Sequence, residues 1–82
     1  MAQRVFVLTE ATPEGMHVVG VFARYADAMR RLDELYVHEC DERGLDPEDD
    51  PWCFTDQHGG TVGDTSQLEG WVYWKISSER VA

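Results

Sequence analysis

A chain of 82 residues forms one domain, 1–82, and a domain of that size buries only about 60 to 65% of the surface its unfolded chain exposes, which argues against a second core or a deep private active site. Apolar content of 43% with three Trp, three Tyr and three Phe places it among folded rather than disordered chains. The formal charge of −9, from 16 acids against 7 bases, opposes direct nucleic-acid binding, which relies on Lys and Arg displacing counterions, and favours a basic protein partner.

Residues 4–9, rich in Val and Phe, read as a first strand. Thr12, Pro13, Glu14 and Gly15 follow as a turn, so residues 17–23 return as the second strand of a hairpin. Strict alternation there places His17, Val19, Val21 and Ala23 on one face and Val18, Gly20 and Phe22 on the other, with Gly20 marking a bulge or a close approach.

Tyr25 to Arg43 is the dominant periodic stretch. Tyr25, Ala28, Met29, Leu32, Leu35, Tyr36 and Cys40 recur at steps of three and four and form one stripe of an α-helix. Gly44 supplies the left-handed residue that stops it. Arg24 stands where a capping Ser, Thr or Asp would be usual, so the N-terminal turn is expected to fray, although Asp27 suits the helix dipole. Two prolines and four acids make residues 45–51 a surface loop.

Residues 52–57 read as a third strand, with His58, Gly59 and Gly60 as a turn and Thr61 and Val62 as a short extension that pairs back. Residues 63–70 carry no period. Residues 71–77 form the last clear strand, with Trp71, Tyr73 and Lys75 on one face and Val72, Trp74 and Ile76 on the other. The fold class expected is α+β: a three- to four-stranded, mostly antiparallel sheet with one amphipathic helix packed on one face, in the order ββαββ.

The charge is lopsided. Residues 44–74 hold no Lys or Arg, while Asp46, Glu48, Asp49, Asp50, Asp56, Asp64 and Glu69 contribute −7. The four apolar residues after Arg4 are too few for a signal-peptide core, and no apolar run nears the roughly 18 residues that span a bilayer. A cytoplasmic location is expected, with Cys40 and Cys53 reduced and no membrane partner.

Three kinds of chemistry have candidate residues here, and each has a plainer role beside it. His17, His38, Cys40, Cys53 and His58 are metal-ligand types, but His38 and Cys40 point about 200° apart on a helix and no Cys-x-x-Cys exists. Cys40 and Cys53 fit better as small core residues. The acids at 46–50 lack the spacing of a calcium loop: Pro47 and Pro51 interrupt it, and its twelfth position is Gln57. A nucleophilic Cys40 would sit near a helix C-terminus amid Glu39, Asp41 and Glu42, which raises rather than lowers a thiol pKa. No cofactor, metal or catalytic residue is therefore assigned, and a non-enzymatic role is expected. The aromatics Trp52, Trp71, Tyr73 and Trp74 cannot all lie under one helix, and a single helix leaves the other sheet face uncovered, a surface that marks an interface of some kind.

The runs Val5-Phe6-Val7-Leu8, Val19-Gly20-Val21-Phe22, Ala28 within the helix, and Glu69-Gly70-Trp71-Val72 resemble small uncharacterised ββαβ proteins of bacteria and their phages; the resemblance implies the fold alone. In size, acidity and lack of a catalytic motif the chain also resembles phage-encoded inhibitors of the anti-CRISPR type, some of which imitate DNA. That resemblance implies residence in the host cytoplasm and a basic, nucleic-acid-binding partner such as a CRISPR effector. The function expected is that of an acidic binding protein. Asp46, Glu48, Asp49, Asp50, Asp56 and Asp64 would stand in for phosphates, and Trp71 and Tyr73 would supply burial. The alternative is a module that pairs with a second copy of itself through the uncovered face, the acids serving solubility.

Overall fold

In the computed structural model, which describes residues 3–64, 66 and 70–81, the chain runs β1 (Gln3–Thr12), β2 (Gly15–Phe22), α1 (Tyr25–Arg43), β3 (Phe54–Asp56), β4 (Gly59–Val62) and β5 (Val72–Val81). The strands form one sheet in the order β2-β1-β5-β4-β3, every neighbouring pair antiparallel. The α+β class holds, but the sheet has five strands where the sequence suggests three or four.

The fifth strand arises because the two-residue extension at Thr61 and Val62 starts earlier, at Gly59, and pairs on both sides, with β3 and with β5. Its two glycines make that insertion possible. A Cβ on Gly59 would stand 2.0 Å from the Trp74 carbonyl oxygen, and one on Gly60 would stand 2.8 Å from Thr55 Cγ2, both far inside contact distance. The last strand also runs on to Val81 instead of ending at Ser77, because Gln3 to Val7 of β1 offer a ladder to that polar segment.

The helix occupies the span its periodicity predicts. Arg24 is extended and provides no side-chain cap; its carbonyl accepts from the Asp27 and Ala28 N–H groups at 3.2 and 3.3 Å. At the other end Gly44 is left-handed, with φ 66°, and the Leu45 N–H donates to the Cys40 carbonyl at 2.9 Å, the wrapped C-terminus that glycine permits. Leu45 then folds back against the core.

Ala28, Leu32 and Cys40 of α1 meet Leu8, Val62, Val72, Trp74 and Ile76 of the sheet, all buried. Trp74 is the largest fully buried side chain. Its indole N–H donates to Glu10 Oε1 at 2.9 Å, which satisfies the one polar atom the ring carries inward, and its ring meets Tyr36 edge to face at 6.5 Å.

Strict alternation fails in β2. Leu8 pairs with Gly20 but Thr9 pairs with Val18, so a bulge takes up one residue at Val19. The consequence is that His17 moves to the helix side, where its Nε2 lies 3.3 Å from Glu10 Oε2, while Val18 and Val21 both face the other way. Gly20 leaves room for Phe22, whose ring would lie 3.0 Å from an added Cβ.

The face turned away from α1 therefore carries three rows across the strands. Phe54, Thr61, Tyr73, Ala11 and Met16 lie abreast; Asp56, Gly59, Lys75, Thr9 and Val18 form the next row; Ser77, Val7 and Val21 the third. Of these, Met16, Val18, Val21, Phe54 and Tyr73 are exposed large apolar side chains. The loop that follows α1 does not cover them, since Leu45 and Cys53 join the core on the helix side.

Candidate functional site

The described acids picked out by the sequence lie at four turns, and most of them build the turns they occupy. Asp46 Oδ1 accepts from the Glu48 N–H at 3.0 Å; Asp50 Oδ1 accepts from the Trp52 N–H at 2.8 Å. Asp56 Oδ1 accepts from the N–H groups of His58 and Gly59 at 2.7 and 3.0 Å, and Asp64 Oδ1 from the Ser66 N–H and hydroxyl at 2.9 and 2.6 Å. Each is an Asx turn, in which the carboxylate takes the N–H two residues on. Sequence reasoning missed this role, although the Asp-Pro pairs at 46–47 and 50–51 signal it.

The turns do not all lie together. Arg43, at the end of α1, donates to the Gly70 carbonyl, and Gly63 lies beside Gly70 and Arg43, so the end of β4 and Gly70 meet the helix C-terminus, where the loop 44–53 also begins. Asp46, Glu48, Asp49, Asp50 and Asp64 thus gather at that end of the molecule. Asp56 sits at the opposite end of the β3–β4 hairpin, beside the helix N-terminus, where the Tyr25 hydroxyl donates to the Gln57 carbonyl. Glu69 lies outside the described residues.

Neutralisation is equally uneven. Along α1, Arg24 and Arg30 approach Asp27 at 3.2 and 3.9 Å, Arg31 meets Glu34 at 3.0 Å, Arg43 meets Glu39 at 3.1 Å and His38 lies 3.6 Å from Glu42. Among the described residues no cation comes within ion-pair distance of Asp46, Glu48, Asp49, Asp50 or Asp56. Glu48 and Asp49 also form no side-chain hydrogen bond, which leaves both carboxylates to the solvent.

The aromatics expected to anchor a partner are separated from those acids. Tyr73 stands on the bare sheet face and Trp71 is half-buried just before β5. An exposed aromatic does lie in the acidic loop: Trp52, 47% exposed, held by the Asp50 turn two residues beyond Asp50. The sequence assigns it to a strand, but β3 begins only at Phe54.

The cysteines are free and buried. Burial pushes the Cys40 thiol above its ordinary value, and Cys53 beside it pushes in the same direction, the opposite of an activated nucleophile. Tyr36 shares this cluster; burial first, then Cys40 and Cys53, raises its phenol to about 12. The histidines are dispersed: His17 lies on Glu10, His38 on Glu42, and His58 Nε2 is 3.3 Å from Gln57 Nε2. Among the described residues no group of three His, Cys, Asp or Glu side chains converges as a metal site would require. An open groove of about 380 Å³ lies between the helix N-terminus and the sheet, lined by Phe6, Tyr25, Gln57, His58, Ile76 and Ser78. No described helix is long and apolar enough to cross a membrane.

No family model, no curated protein and no solved structure matches this chain.

Proposed function

We propose that this chain is a non-enzymatic acidic binding protein that docks on a basic, nucleic-acid-binding protein and blocks it, in the manner of phage-encoded inhibitors of the anti-CRISPR type. The observation that carries the reading is the segregation of charge. The arginines of α1 are engaged by the helix's own acids, while the carboxylates at 46–50 face solvent with no cation near them. Unpaired carboxylates fixed on turns match the Arg and Lys sites that otherwise hold phosphates, and their field speeds encounter with a basic surface. Trp52 supplies an aromatic anchor within that cluster, in place of Trp71 and Tyr73.

The test is retention of proteins from a bacterial lysate on the immobilised chain, with duplex DNA as competitor. Retained proteins should be nucleic-acid-binding, should be displaced by DNA and by salt, and should be lost when Glu48→Lys is combined with Asp49→Lys. Those two side chains hold no turn, so the fold is left intact. Retention indifferent to DNA and to both charge reversals would reject the reading.

A further inference from the structure

We propose that the groove at the N-terminal end of α1 binds a small aromatic carboxylate, with its rings on Phe6 and Ile76 and its carboxylate at Arg4 and Arg80. The groove lies at the opposite end of α1 from the acidic loop, so this site and the docking surface stand or fall separately.

The lining sets the body of the ligand. A space of about 380 Å³ is at the small end of the range for ligand sites and holds one or two fused rings. Phe6 and Ile76 floor it and Tyr25 walls it. Ile76 is only 7% exposed, and the Phe6 and Tyr25 rings meet edge to face at 5.7 Å. The Tyr25 hydroxyl donates to the Gln57 carbonyl, which ties the helix wall to the β3–β4 turn. The apolar surface is thus held in place before a ligand arrives, and little freedom is lost on binding.

Charge sets the head group. The chain has seven Lys and Arg. Arg24, Arg30, Arg31 and Arg43 lie against carboxylates of α1; among the described residues Arg4, Lys75 and Arg80 have no carboxylate within ion-pair distance. Lys75 stands on the bare face. Arg4 and Arg80 are partners in the β1–β5 ladder, and by alternation they share the helix side with Phe6 and Ser78. Arg4 donates to the Ser78 hydroxyl at 2.9 Å, which holds its guanidinium at the end of the groove and leaves its other N–H groups to donate elsewhere. Like charges placed opposite each other on neighbouring strands are unfavourable, and an anion between them removes that cost. A carboxylate does so with the paired geometry that a guanidinium fork prefers. The chain's own acids do not compete: Glu79 points to the other face by the same alternation, and Asp56 Oδ1 is engaged by the N–H groups of His58 and Gly59.

Spacing joins the two ends. Ser78 lies two residues beyond Ile76, about 7 Å along the strand, a distance that a two-ring acid spans. A simple anion would use the arginines alone, and a neutral ring the floor alone. The groove offers both, which selects a ligand that carries both.

The experiment is a titration of naphthoate into the full chain, followed by methyl NMR. Ile76 is the only isoleucine in the sequence, so its methyl signals report on the groove without ambiguity. They should shift saturably with a Kd of about 10⁻⁴ to 10⁻³ M, while Val37, exposed on α1, stays unmoved. Arg4→Gln combined with Arg80→Gln should weaken binding roughly tenfold, and Lys75→Gln should leave it unchanged. All three positions are on the surface, so native circular dichroism is expected throughout. The neutral carboxamide of naphthoate and acetate should each bind at least roughly tenfold more weakly than naphthoate. Ile76 signals unmoved by millimolar naphthoate, equal binding of naphthoate and its carboxamide, or full affinity in the double arginine variant would overturn the proposal.

Discussion

Trp74 and Tyr73 are neighbours in the chain, yet Trp74 is fully buried beneath α1 while Tyr73 is 42% exposed on the opposite face. The same contrast separates Leu8 from Val7 and Ile76 from Lys75. Alternation in β1 and β5 sends apolar side chains both ways, but the described residues form one helix, and one helix covers one face. The covered face carries the stability of the monomer. The uncovered face leaves Met16, Val18, Val21, Phe54 and Tyr73 exposed in the single chain.

The contrast breaks if substitutions on the two faces cost alike. Trp74→Ala should lower unfolding free energy by about 3 to 5 kcal/mol, since it empties the centre of the core and removes the donor to Glu10. Val21→Ala, measured by urea unfolding at high dilution, should cost less than about 1 kcal/mol. Equal losses would mean that the bare face is held by packing within the monomer.

A pH titration sharpens the same contrast from the covered side. Tyr36 carries a phenol raised from 10.0 to about 12, so the folded state disfavours its ionisation relative to the unfolded chain. The stability this contributes is present below pH 10 and is lost as pH rises toward 12. In phenolate absorbance one tyrosine should therefore titrate near pH 12, and that step should vanish in Tyr36→Phe. A native titration with every step complete well below pH 12 would contradict the burial of Tyr36 beside the two thiols.

The smallest effects divide the acidic loop itself. Asp50→Ala, which removes the acceptor for the Trp52 N–H, should cost about 1 kcal/mol, whereas Asp49→Ala should stay within about 0.5 kcal/mol. Identical costs by thermal melt would show that the turns are not held by their carboxylates.

Much of this architecture is legible in the residues alone. The three-and-four spacing from Tyr25 to Cys40 and the left-handed Gly44 define α1, and period two separates Val72, Trp74 and Ile76 from Tyr73 and Lys75. The β2 bulge is legible only in part: Gly20 signals a bulge or a close approach, but that Val19 is the residue taken up, and that His17 and Val18 change faces in consequence, is a property of the pairing with Leu8 and Thr9. The status of β4 is hidden for a similar reason. Gly59 and Gly60 look like a turn, and only the closeness of the Trp74 carbonyl and of Thr55 explains why glycine is needed inside a strand. In the candidate site, charge segregation is visible from the base-free run at 44–74. The separation of Asp56 from the other acids, and of Tyr73 from all of them, depends on long-range pairing.

The account rests on one sheet face being covered by α1 and the other being open, and the most direct measurement is the access of a soluble paramagnetic probe to methyl groups. Val18 and Val21 are more than half exposed, at 57% and 60%, whereas Leu8 and Leu32 are fully buried. The methyl signals of Val18 and Val21 should broaden with added probe while those of Leu8 and Leu32 stay sharp. Broadening of all four alike would contradict the account.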